Sequence, residues 1–171
     1  MSLEQLVVGI LILLLLGGGI AALTVLCDVL FARFVRRARA VAAQMPVRAL
    51  LVGVINFLFF GVIAFGLFAI AQEAENSGAD GFAGIIRLLA LAVVLVLSSF
   101  LALGLTASAR WVGEKIAPDA SAVRQIIFGI IVLELASLAP LVGWIVVPLA
   151  ATLVGYGAVI VALVRRKSAG Q

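Results

Sequence analysis

The chain has 171 residues, 65% of them apolar and 12% charged, with a formal net charge of +4, no histidine and one cysteine. Soluble domains carry about a quarter charged residues, so this composition excludes a water-soluble globular fold and places the chain in lipid. Several spans of about 20 residues each nearly exhaust its length, which leaves a single domain, 1–171, and no separate soluble unit.

The first apolar run covers about residues 6–26. Met1 to Gln5 contain no Lys or Arg, whereas a secretory signal peptide starts with a basic region, so the run is read as a span of the mature protein. Cys27 closes it. One cysteine forms no intrachain disulfide, and Leu26 stands where the residue before a lipidated cysteine is normally small. Residues 27–48 follow, with Arg33, Arg36, Arg37, Arg39 and Arg48 set against Asp28. Leu30, Phe31, Phe34, Val35 and Val41 recur there near helical spacing, which predicts either a short amphipathic helix on the inner leaflet or a cytoplasmic extension of the first helix. Arg33, Arg36, Arg37 and Arg39 are then the groups that meet anionic lipid head groups or dock a partner.

The second span, about 49–71, carries Asn56, and the third, about 82–107, carries Arg87 and Ser99. From Gln125 to Val164 the chain is apolar for 40 residues apart from Glu134, too long for one crossing. Pro140 removes a helix donor and restricts Ala139, so a tight hairpin is expected at Pro140, Gly143 and Trp144, between a fourth span at 122–139 and a fifth at 143–164. Trp144 then belongs near the outer interface. A re-entrant 122–139 is the competing arrangement.

Charge orients the spans. Besides the first basic segment, Arg110, Lys115 and Arg124 lie between the third and fourth spans, and Arg165, Arg166 and Lys167 in the tail, so eleven of the twelve basic residues fall in three segments. The remaining segments hold Glu4, Glu73, Glu75 and Asp80 with no Lys or Arg. Cytoplasmic loops are rich in Lys and Arg. The sequence therefore predicts an all-α, multi-pass protein of the cell membrane, a bundle of five transmembrane helices with the N-terminus outside and the C-terminus cytoplasmic. The same bias explains the pI of about 10.2, and no nucleic-acid partner is expected.

Polar residues within spans are the candidate functional groups. Arg87 and Glu134 are the two charges that five spans leave inside apolar segments. Each costs about 2.5 to 3.5 kcal/mol near a helix centre if unpaired. Counted from the outer ends of their spans they lie about 7.5 and 9 Å deep, which predicts an intramembrane ion pair. Asn56 and Ser99 fall at similar depth and are expected to share an interhelical hydrogen bond. Gly17 with Ala21, Ser98 with Ala102 and Thr106, and Ala151 with Gly155 give the four-residue spacing of small residues at close helix contacts.

Catalytic constellations are missing from the sequence. Without histidine, the commonest general base and imidazole ligand are gone. Gly17, Gly18 and Gly19 lie inside an apolar span and not after a strand, so they form no phosphate loop. Ser98, Ser99, Ser108 and Ser137 have no histidine base. No enzymatic activity, metal or cofactor is expected.

Across residues 46–166 the order of features resembles the multi-helix membrane domain found beside bactofilin-like polymer-forming domains. The stretch consists of Gly129, Leu133 and Leu135, then Pro140, Gly143 and Trp144, then Gly155, Gly157 and Ala158, closing on Arg165. Pro46, Arg48 and Gly53, with Trp111 and Gly113, come upstream in the same order. The polymer-forming domain itself is absent from this sequence. The resemblance implies an anchoring or scaffold part. Together these readings lead to a non-catalytic membrane subunit, a structural, scaffold or assembly component that packs with membrane lipids and with other membrane subunits or itself. The alternatives are a small oligomeric channel or transporter built around Arg87 and Glu134, and an accessory subunit of a pigment or redox complex.

Overall fold

The computed structural model describes residues 3–137 and 142–168. They form five helices: α1 (Leu3–Gln44), α2 (Pro46–Asn76), α3 (Asp80–Ile116), α4 (Ala122–Ser137) and α5 (Val142–Ser168). Four stretches, Leu15–Gln44, Pro46–Asn76, Asp80–Ile116 and Ile145–Val164, are long and apolar enough to cross a membrane. The protein is thus an all-α chain with the helices of a multi-span membrane bundle. α4 is different. Its 16 residues reach about 24 Å, short of the roughly 30 Å of hydrocarbon that a crossing needs, so four full-length spans, and not five, stand among the described residues.

The first three helices run past their expected ends. α1 continues through the basic segment to Gln44, bending at Phe31, where φ −122° and ψ 32° leave the helical region. Pro46 opens α2, a position where its missing N–H is no loss. The link to α3 is a tight turn in which Ser77 and Gly78 donate their backbone N–H groups to Glu73 and Glu75. Gly78 takes a φ of 79° there, a conformation that a Cβ disfavours.

The bend in α1 changes the reading of its second half. Val35, Ala38, Val41 and Ala42 are buried and join Ala49, Ala107, Ala158, Val159 and Ala162 in one cluster. The segment beyond the bend therefore lays Val35, Ala38, Val41 and Ala42 on α2, α3 and α5, while Leu30 and Phe31 stay exposed. Arg33, Arg36 and Arg37 are left exposed. A second cluster brings Ala109, Ile126 and Ile130 together with Ile20, Ala21 and Val25, so α4 is held between α3 and α1.

Small residues fill this interior, while Leu51, Phe65, Leu95 and Ile145 are exposed. That distribution suits lipid, where apolar side chains gain nothing by leaving the solvent and association depends on close packing. The closest approaches are backbone to backbone. A Cβ on Gly155 would collide with the carbonyl oxygen of Gly104, and one on Gly129 with that of Ala109. Gly113 meets Gln125 in the same way, so α4 descends α3 in the opposite direction from a short connection.

Candidate functional site

The polar side chains inside the bundle form a set of helix-to-helix ties at one end. Asp28 ends the straight part of α1, and its Oδ1 accepts a hydrogen bond from Arg110 Nη1 of α3 at 2.8 Å. The side chains are only 8% and 13% exposed, so the pair is shielded from solvent. Nε of Arg110 has no hydrogen-bond partner among the described residues. Beyond the bend, Arg39 forms an ion pair with Glu114, also of α3. The Ser108 hydroxyl donates to the Ala151 carbonyl of α5 at 2.7 Å. Gln125 of α4 donates its amide to the carbonyls of Pro118 at 3.1 Å and Ala117 at 3.3 Å, which satisfies acceptors left over at the end of α3. The ties join α3, or the segment that follows it, to three other helices: α1 twice, α5 once and α4 once.

The expected pair of Arg87 with Glu134 does not form. Arg87 Nη2 bonds Glu75 Oε2 at 2.5 Å across the α2–α3 turn. With side chains 44% and 46% exposed, this is a surface pair of the kind that contributes about 0 to 1 kcal/mol. Glu134 is held elsewhere. Leu133 packs in the cluster with Leu105, which puts Glu134 about 17 residues along α3 from Arg87, roughly 25 Å at 1.5 Å per residue. Matching depth fixed neither the rotation of the helices nor the distance over which α4 accompanies α3. Glu134 instead lies over Gly17 of α1, where a Cβ would stand 2.7 Å from its Oε1. That oxygen is buried without a hydrogen-bond partner among the described residues.

Asn56 and Ser99 do not bond to each other either. Asn56 Nδ2 donates to the Val52 carbonyl at 3.0 Å and Ser99 Oγ to that of Leu95 at 2.8 Å. Such bonds back to the preceding turn occupy a side-chain donor without a second helix. Of the four arginines expected to face head groups, Arg39 is drawn to Glu114, whereas Arg33, Arg36 and Arg37 border an open basic cleft of about 440 Å³ and form no ion pair among the described residues. In the expected hairpin, Pro140 lies outside the described residues, while Gly143, which is buried, and Trp144 already belong to α5.

The small-residue pairs divide similarly. Gly155 and Ala151 both serve the α3–α5 contact, Gly17 makes room for Glu134, and Ser98 is exposed. The Asp28–Arg110 tie escaped the sequence reading because both residues were counted as loop charges. A signal was present. Each follows directly on an odd-numbered span, so both belong at the same end of the bundle.

Three or more metal-ligating side chains do not converge anywhere among the described residues. No family model, curated protein or solved structure matches the chain.

Proposed function

We propose that the chain is a non-catalytic integral membrane subunit, a structural or scaffold component of a membrane assembly. The observation that carries this reading is the set of ties around α3: the Asp28–Arg110 pair, the Arg39–Glu114 pair and the Ser108 bond to Ala151 all fasten one helix to another. Their chemistry is that of a rigid platform. An anchoring part is also what the resemblance to the membrane domains beside bactofilin-like domains implies. The channel reading loses its basis in Arg87 and Glu134, which have separate surroundings.

In this proposal the N-terminus is outside, the C-terminus is cytoplasmic, and α4 serves as a short fifth span, with the bilayer thinned around it. Support comes from the loop charges and from the shared direction of α1 and α3, since Asp28 meets Arg110 and Arg39 meets Glu114. Arg33, Arg36 and Arg37 then turn toward anionic head groups at the cytoplasmic side. Single cysteines at Ser77 and Ser168, in a Cys27→Ser background, should label from opposite sides of intact cells or vesicles. Labelling of both from the outside would rule out five crossings.

Extraction from native membranes in a mild detergent tests the subunit reading. Its expected result is a complex of defined mass well above the 17.7 kDa of one chain, with fixed stoichiometry across preparations. A monodisperse single chain at every detergent concentration would contradict it.

A further inference from the structure

A cavity of about 410 Å³ lies between α2, α3 and α5, away from the ties that hold the bundle together. Its volume is within the range of small-molecule sites. Phe60, Ala92 and Val96 among its lining residues are exposed, and all three helices are long enough to span, so the opening faces the bilayer and not water.

Two polar side chains interrupt its apolar wall. Tyr156 is only 3% exposed, and apart from an edge-on ring contact with Phe100, centroids 6.5 Å apart, it has no partner: its hydroxyl makes no hydrogen bond among the described residues. A phenol among apolar side chains normally finds one, and this hydroxyl oxygen is not itself fully buried. Asn56 gives one amide hydrogen to Val52, and its second hydrogen and its carbonyl oxygen have no partner among the described residues. The cavity, apolar over nearly all of its wall, is thus bordered by a donor-bearing side chain from each of two helices beside the rings of Phe60, Phe100 and Tyr156. Two donors suit a carbonyl acceptor, and the aromatic rings suit a flat partner.

We infer that this cavity binds a bilayer-soluble ligand with a flat, carbonyl-bearing ring, of which a prenylated quinone is the simplest chemical representative, with Tyr156 and Asn56 donating to its carbonyl. A saturated acyl chain fills apolar space equally well but leaves both donors unanswered, which makes it the weaker occupant. The site is independent of the scaffold role.

Binding is measured on the full chain in phosphatidylcholine nanodiscs, with a benzoquinone carrying one isoprene unit as probe and cis-parinaric acid as the acyl-chain comparison. The expected result is saturable one-to-one quinone binding. Tyr156→Phe and Asn56→Leu should each weaken it about tenfold, the effect of one lost hydrogen bond, and Ala92→Phe, which fills the cavity, should abolish it. Tyr156→Phe retains the ring against Phe100, so an unchanged melting temperature identifies a binding defect in a folded protein. Absence of saturable quinone binding overturns the inference. So does quinone binding that Tyr156→Phe and Asn56→Leu leave intact while cis-parinaric acid displaces the probe, because that pattern describes an acyl-chain groove.

Discussion

Arg110→Met should destabilise the bundle by about 3 to 5 kcal/mol, the loss expected when one member of a buried ion pair is removed and the other is left uncompensated. Asp28 would be the stranded charge, with its side chain 8% exposed. Asp28→Leu alone should be damaging for the converse reason, since Arg110 already has a buried Nε without a partner among the described residues. The double variant, Asp28→Leu with Arg110→Met, should lie close to the parent, because removing both charges also removes the desolvation penalty. Thermal unfolding in a mild detergent measures all three, and the cycle isolates the coupling between the two positions. A double variant no more stable than the worse single would show that Asp28 and Arg110 act separately.

Gly155→Leu should have an effect of comparable size through packing alone. The Cβ would collide with the Gly104 backbone, which cannot rotate away as a side chain can, so α3 and α5 must separate. Overpacking of this kind costs about 1 to 3 kcal/mol, and more where the backbone itself has to move. Separation would also strain the Ser108 bond to Ala151, about one helical turn away on the same interface. Gly61 and Gly66 provide the comparison, because a Cβ at either meets nothing within 4 Å. Gly61→Ala and Gly66→Ala should leave stability unchanged or raise it by up to about 1 kcal/mol, the helix propensity difference. Equal losses at Gly155 and Gly61 would contradict the assignment of Gly155 to a tight interface.

The helices themselves were legible in the sequence. Runs of 20 or more apolar residues have few alternatives in lipid, while the hairpin expected at Ala139 and Pro140 lies outside the described residues. Helix ends were harder to read. Hydropathy marks where apolar residues stop, but Leu30 to Gln44 stay helical because Val35, Ala38 and Ala42 have the bundle to pack on. Of the fourth span expected at 122–139, α4 is described over 16 residues, Ala122–Ser137.

Pairing was the least legible property. Depth along a helix can be counted from sequence, whereas rotation about its axis depends on which faces the small residues bring together. Arg87 and Glu134 match in depth only when counted along the sequence; the register of α4 on α3 sets them roughly 25 Å apart at 1.5 Å per residue, and Arg87 pairs instead with Glu75 across a three-residue turn. Asn56 and Ser99 failed for another reason, since each donates to the preceding turn of its own helix. The small-residue spacing at Ala151 and Gly155 did point to a true contact, although only the backbone geometry identifies Gly104 as its counterpart.

The central claim is that the polar groups of this bundle hold helices together and do not line a path across the membrane. Ion and proton flux through proteoliposomes reconstituted with the full chain measures this most directly. The account predicts flux equal to that of empty liposomes at every protein density. A leak that rises with protein and disappears in Glu134→Gln would contradict it, because the buried carboxyl against Gly17 would then serve conduction.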